Sequence, residues 1–337
     1  MLLVEANLNN ELHRVSIQGH PLVHNWKSRI ISMDHITWGC RSNRGGFCPL
    51  GYGKMVFKPK LFEDNFPPSD TGQIVAKYTQ DTEANAVTLF NATAYASGFP
   101  ENKPQYTLLP PDYNETLAAS SLSTGSLTSL LTTILTGIAE ISSVDTSLAR
   151  SPSPEVVPDN YEGRLNIDYA DDLAKAFCHL VYIIGTTAYV IDMKAGNGSE
   201  VVFTDSKVTN NIRIFRNTPI AEIQHDDGTN VYMRQSAYPM GKKLKVRIPH
   251  TTQAKVEDAL DDIRLVENKW RGTATIKLSS LGGIILPRQK ITWTDYYLHP
   301  IDRKPVRISI YPIDIRFDFN LGSGWVTITG DLDMVVP

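Results

Sequence analysis

The spacing of apolar residues changes period along this chain, and that change restricts the possible folds more than any motif does. Up to about residue 115 the apolar positions fall in short alternating pieces: Val15 to Ile17, Ile30 to Ile36, Met55 to Phe57, Ile74 to Tyr78, Ala86 to Leu89 and Thr93 to Tyr95. That is the period of strands, and glycines punctuate it. Prolines at 49, 59, 67, 68, 100, 104, 110 and 111 keep these strands short or at sheet edges. Residues 81–90 have room for one short helical turn.

From Ser126 the period becomes helical. Leu127, Leu130, Leu131, Ile134, Leu135, Ile138 and Ile141 form one stripe, with Ser123 or Thr124 as the expected N-cap. Its polar positions are Ser and Thr, weak helix formers, so packing must hold it. The prolines between Ser151 and Pro158 then force an extended linker. A second helix is expected over residues 168–180, with Leu173, Ala174, Phe177 and Leu180 or Val181 facing inward. Strand patterning returns at Ala188. Gly196-Asn-Gly198 and Asp226-Asp-Gly228 each read as a hairpin turn between two strands. Leu244, Val246 and Ile248 alternate with Lys243, Lys245 and Arg247, a strand with one basic face. A third helix over residues 253–269 puts Val256, Leu260, Ile263 and Val266 or Leu265 on one side, and the remainder is strand-rich.

These patterns predict an α+β, mostly β chain. Its expected divisions are an N-terminal β domain (1–115), a helical region with a Pro-rich linker (116–182), and a C-terminal β domain (183–337) with helix 253–269 inserted. A length of 337 residues fits two domains, or one large all-β body with an insertion. The 42% hydrophobic share suffices for a real core. With 33 Lys and Arg against 36 Asp and Glu, the formal charge of −3 argues against a dedicated nucleic-acid binder. The first residues carry no basic region and reach Glu5 early, unlike a signal peptide, and no apolar run approaches the ~18 residues of a membrane span. Cys40, Cys48 and Cys178 are too few for a disulfide scaffold and point to reduced thiols in a protein folded in the cytoplasm. Cys40 and Cys48 are read as buried thiols, with a local disulfide as the alternative.

Motifs for chemistry are weak. His20 and His24 have the i, i+4 spacing of a metal pair, but their segment is not helical and no third ligand lies near. Residues 45–54 imitate a phosphate loop, yet Met55 stands where a hydroxyl is required, so a Gly-rich β-turn is the better reading. No Gly-x-Ser-x-Gly elbow occurs. The acid pairs Asp171/Asp172, Asp226/Asp227 and Asp261/Asp262 fit a helix start, a hairpin turn and a solvated helix face. We expect no catalytic residues, no cofactor and no metal. Two acid-free basic stretches remain: Arg41, Arg44, Lys54, Lys58 and Lys60, then Arg234, Lys242, Lys243, Lys245, Arg247 and Lys255. Each reads either as a solvated strand face or as a surface for an acidic partner.

Residues 51–62, Phe66-Pro-Pro68, residues 74–79, 83–90, Tyr106-Thr-Leu108 and Pro111-Asp-Tyr113 resemble the N-terminal region of tail proteins of tailed bacteriophages. Residues 259–276, 285–291 and 313–317 resemble the closing unit of baseplate hub proteins, in which a helix feeds a strand and paired strands follow. The likeness lies in order and spacing, without an invariant signature. It implies a tail-tip or baseplate hub: two tail-tube-type β-barrel domains with helical insertions, assembled as a ring, typically a trimer. Such a hub is made in the host cytoplasm and sits in the virion. Its partners would be copies of itself, the distal tail or tube protein, the tape-measure protein, and a spike or fibre. The resemblance implies no sequence-specific nucleic-acid partner and no stable membrane insertion. The chain lacks an appended lysozyme or peptidase domain, so no cell-wall cleavage is implied. A receptor- or glycan-binding tail protein, and less so a cell-wall hydrolase, are the alternatives. Candidate interface residues are Lys243, Lys245 and Arg247 on the basic strand, with Trp38, Tyr52, Trp293 and Tyr296 as aromatic anchors or ordinary core; Trp270 is expected in the core.

Overall fold

The computed structural model describes residues 2–8, 11–17, 30–40, 42–52, 54–57, 71–78, 84, 86–98, 105–109, 113, 115–117, 122–159, 161–203, 212–236, 239–249, 252–277, 285–295, 306–320 and 323–335. Among these the fold is mostly β, with three α-helices: α1 (Leu127–Thr136), α2 (Asn166–Ala176) and α3 (Gln253–Glu267). The N-cap of helix α1 lies two or three residues after the predicted ones: it is Ser126, whose hydroxyl accepts the Ser129 N–H at 3.2 Å. Leu127, Leu130, Leu131, Ile134 and Leu135 are buried as the stripe requires. Thr132, Thr133 and Thr136 satisfy their hydroxyls on carbonyls one turn back, at 2.8, 3.0 and 2.8 Å. The helix ends before Ile138 because Asn166, which opens α2, takes the Ile134 carbonyl at 3.0 Å. Helix α2 also ends earlier than predicted. Cys178 adopts a left-handed φ of 55°, and Leu180 and Val181 belong to the strand His179–Ile184.

Among the described residues fourteen strands form one large sheet. Its spine is the long hairpin Val306–Asn320 with Ser323–Val335. On the other edge, Val306–Asn320 changes partner part-way along: residues 306–310 pair with Lys290–Asp295 and residues 314–320 with Ile30–Gly39. The change happens at a bulge between Pro312 and Asp314, where proline has no N–H to lose from the ladder. The bulge also moves the buried apolar set from Ile308 and Ile310 to Ile313, Ile315 and Phe317. Opposite it, Gly330 lets the strands close up, since a Cβ there would lie 2.0 Å from the Tyr311 carbonyl oxygen. Strands from residues 2–109 and from residues 271–335 therefore share one sheet. Among the described residues its strand order is an open path, with no pairing that closes it into a barrel.

Two smaller sheets carry the helices. The first has the order Ser143–Leu148, Thr187–Asp192, His179–Ile184, Gly46–Cys48, with α2 packed on it and α1 against α2. The second is Val231–Gln235, Ile220–Asp226, Lys242–Val246, with α3 against its first two strands. The Asp226-Asp-Gly228 turn joins an antiparallel pair as expected, and Asp226 and Asp227 accept the turn's own N–H groups. Gly196-Asn-Gly198 does not make a hairpin. Thr187–Asp192 is already paired on both edges, so the chain crosses to the large sheet, where Glu200–Phe203 runs parallel to Lys290–Asp295. The Gly-rich segment likewise is no simple turn: Gly46–Cys48 and Leu50–Tyr52 lie in different sheets.

Candidate interaction surface

The groups that suggested chemistry are engaged structurally. Asp171 accepts the Phe47 N–H at 2.7 Å and pairs with Lys175, and Asp172 meets Arg164 at 2.7 Å. Both sit mid-helix in α2 rather than at its start. Asp261 pairs with Arg234 at 3.2 Å and Arg264 at 3.0 Å, while Asp262 holds Arg150, and Lys194 at 2.8 Å. Arg150 also forks onto Asp192 at 3.0 and 3.3 Å and gives its backbone N–H to His179 Nε2 at 3.3 Å. Burial pushes His179 down to about 4. A cavity of about 550 Å³ opens beside this network, but the three cations lining it face three acids. Cys40, Cys48 and Cys178 are free thiols; burial lifts Cys40 to about 11 and Cys178 to about 12. Among the described residues no three His, Cys, Asp or Glu side chains gather as for a metal, and His20 and His24 lie outside them.

The aromatic anchors divide. Trp38 is core: fully buried, it donates its indole N–H to the Ile183 carbonyl at 3.2 Å and meets Phe317 edge-on at 6.0 Å, tying the large sheet to the four-stranded one. Trp293 is 2% exposed and equally unable to present to a partner. For Tyr52 the structure describes only a strand backbone position, and Tyr296 lies outside the described residues. Trp270, expected in the core, is 50% exposed and stacks under Arg216 at 5.6 Å. It follows α3 at the point where the chain turns into the strand Arg271–Lys277, and its flanking residue Arg271 takes the buried position instead.

The basic strand behaves as its alternation demands. Lys243, Lys245 and Arg247 are exposed, whereas Leu244 and Val246 turn inward. Register places Lys243 beside Glu222 and Lys245 beside Gln224 on the outer face, with Val231 and Met233 exposed one strand further across. Lys243 reaches Glu222 at 3.2 Å; Arg234, from the same sequence stretch, instead pairs inward with Glu257 of α3 at 2.6 Å.

At the end of this strand lies a cleft of about 200 Å³ between α2 and residues 245–249. Arg44, Arg164, Lys175, Lys245 and Arg247 line it against two acids, Asp159 and Asp172. Its floor is apolar, from Leu173, Ala176 and Val246. Arg247 meets Asp159 at 2.7 Å, and the Arg164 guanidinium sits 5.3 Å above the Tyr169 ring, whose hydroxyl accepts the Asp159 N–H at 3.1 Å. The two basic stretches of the sequence thus meet here through Arg44 and Lys245–Arg247. Arg164 and Lys175 escaped notice because each stands beside acids along the chain.

No family model and no curated protein sequence matches the chain. Solved structures do. The tail protein from Neisseria meningitidis MC58 superposes with a TM-score of 0.61 at 11% identity, covering 98% of this chain and 96% of that one. The 43 kDa tail protein of prophage MuSo2 from Shewanella oneidensis gives 0.58 at 10% identity over 98% and 96%. Prophage tail protein gp18 from Listeria monocytogenes EGD-e gives 0.53 at 10% identity over 97% and 94%. At such identities the likeness is one of fold.

Proposed function

We propose that this chain is a structural, non-enzymatic subunit of a bacteriophage-type tail, acting as the hub that closes the tail tube and joins it to a spike or fibres. The observation that carries the reading is the end-to-end likeness to the Neisseria tail protein, which covers 98% of this chain. The charged groups that might have served catalysis are committed to structural pairs, which favours assembly over turnover. In this reading copies of the chain form a ring, probed first as a trimer, which meets the tube protein, the tape-measure protein and the tip. The two halves of the large sheet, joined along Ile30–Gly39 and Val306–Asn320, would derive from two tube-type barrels. Lys243, Lys245 and Arg247 supply the charged part of a subunit contact.

The test is electron microscopy of particles labelled with antibody to this chain, paired with light scattering of the purified protein. Label at the distal end of the tail and a ring-sized species are expected. Unlabelled particles together with a strict monomer at high concentration would overturn the proposal.

A further inference from the structure

The three-stranded sheet of Val231–Gln235, Ile220–Asp226 and Lys242–Val246 has two open edges among the described residues, and they differ. A strand edge with free backbone groups recruits another strand unless charge or a bulge blunts it. Lys242, Lys243 and Lys245, all exposed, blunt the edge at Lys242–Val246. The opposite strand, Val231–Gln235, carries a single charge, and Arg234 turns it to α3, pairing with Glu257 at 2.6 Å and Asp261 at 3.2 Å. Its backbone phase is fixed at both ends: Ser236 donates its N–H to the Ala221 carbonyl at 2.9 Å, and the Asn230 carbonyl accepts the Asp227 N–H at 3.2 Å. Antiparallel pairing alternates, so Tyr232 and Arg234 bond inward, and Val231, Met233 and Gln235 turn their N–H and C=O groups to the edge. Among the described residues those three N–H groups have no acceptor. Arg264 donates to the Gln235 carbonyl at 2.7 Å and Arg234 to the Met233 carbonyl at 3.4 Å, each leaving the oxygen a second lone pair. The side chains of Val231 and Met233 are 63% and 44% exposed.

We propose that the edge Val231–Gln235 is a contact between two copies of this chain, paired antiparallel about a two-fold axis at Met233 so that their three-stranded sheets join into one. Met233 then lies opposite the partner's Met233 and Val231 opposite the partner's Gln235, each pair exchanging both N–H···O bonds. The outer row of Val231, Met233 and Gln235 is uncharged, so the copies set no like charges against each other there and cover the exposed apolar side chains. Helix α3 packs on Val231–Gln235 and Ile220–Asp226 alike. With strands ~4.8 Å apart, the two copies of α3 would lie about 10 Å apart, a helix-packing distance. The flank of α3 above the edge sets Glu257 and Asp261 beside Arg234 and Arg264. Two acids and two cations balance, so a reversed second copy meets a flank without net charge to repel it. The basic edge at Lys242–Val246 stays open in this pairing. The inference goes beyond the tail reading and does not rest on it.

Sedimentation velocity of the full chain, from micromolar to near-millimolar concentration, tests it. We expect a dimer that dissociates on dilution. Met233→Lys and Met233→Glu each set like charges directly opposite across the axis and should each raise the dissociation constant about tenfold or more. Mixed in equal amounts, the two variants should recover the dimer, because only a two-fold pairing at this position sets residue 233 against itself. Met233 is exposed, so both variants should keep the wild-type circular dichroism and urea midpoint. A second variant works without added charge: Met233→Cys should cross-link to its partner under diamide, which takes up the two electrons and two protons. Directly opposed residues of such a pair lie ~5.5 Å apart at Cα, within disulfide reach, and the wild-type chain sets the background. A wild-type monomer or a trimer alone at every concentration, full dimerisation in both charge variants, no recovery on mixing, or no cross-link overturns the proposal. A hexamer that falls to a trimer in the charge variants supports it and shows a ring contact elsewhere, so the tail reading stands or falls separately.

Discussion

Replacing Asp331 by asparagine removes a carboxylate on which three cations converge. Arg271 Nη1 pairs with one Asp331 oxygen; Arg288 Nη1 and Lys269 Nζ reach the other at 2.7 and 3.2 Å. The side chains of Arg271 and Arg288 are only 2% exposed, and that of Asp331 only 5%. These groups join distant pieces of the chain. Arg288 also donates to the carbonyls of Met193 at 2.8 Å and Ala195 at 2.7 Å, and Arg271 to those of Asn43 at 3.2 Å and Val266 at 3.4 Å. Asparagine keeps the shape and one acceptor oxygen but leaves two guanidiniums buried without a counter-charge. Removing one partner of a buried ion pair costs about 3–5 kcal/mol, and the half-exposed Lys269 adds little, so about 4 kcal/mol is expected for Asp331→Asn. Urea unfolding of both proteins at pH 7 measures it as a shift in midpoint at unchanged slope.

The pH dependence supplies an independent arm. Burial alone would raise the Asp331 carboxyl, but Arg288, Arg271 and Lys269 outweigh it and hold the group below the usual carboxylate range. A depressed folded-state pKa contributes stability above the unfolded value of about 4 and loses it as pH falls through the folded value. The gap between wild type and variant should therefore be constant above about pH 5 and shrink below about pH 4. A loss under about 1 kcal/mol at pH 7, or a gap that ignores acid, would refute the view that this carboxylate neutralises the junction; the backbone carbonyls would then suffice.

Three further outcomes are expected. His179, held neutral by burial at about 4 against an ordinary value near 6.5, should make wild-type stability fall by about 3 kcal/mol as pH drops from about 6.5 to 4; denaturation of His179→Gln across that range should lack this slope, and an identical slope would show that another group titrates. Trp38→Ala should cost about 3–5 kcal/mol in the same unfolding assay and Trp38→Phe about 1–2, the latter reflecting the lost bond to the Ile183 carbonyl. Cys48 and Cys178, buried with raised pKa values, should stay silent to a thiol reagent at pH 8 until the chain is unfolded in urea; prompt native-state labelling of either would contradict the packing around it.

Local pattern alone missed the strands Ser143–Leu148 and His179–Ile184 around α2 but determined the positions of the three helices, the buried stripes of α1 and α3, the Asp226-Asp-Gly228 hairpin and the basic face of Lys243, Lys245 and Arg247. Each of these follows from a period of two or 3.6 residues, or from a turn that a few neighbouring side chains specify by themselves. A period says which face is buried and is silent on what buries it. That is why Trp38 and Trp293 resembled interface anchors, why Trp270 was placed in the core, and why Gly196-Asn-Gly198 passed for a hairpin. It also explains the helix ends: Asn166 closes α1 from 32 residues away. The Asp331 junction and the basic cleft draw on residues spread from Arg44 to Asp331, each next to unremarkable neighbours in sequence. Only the closed chain brings them together, because burial and charge pairing act through space, and the energy that makes these groups matter appears once water has been excluded from between them.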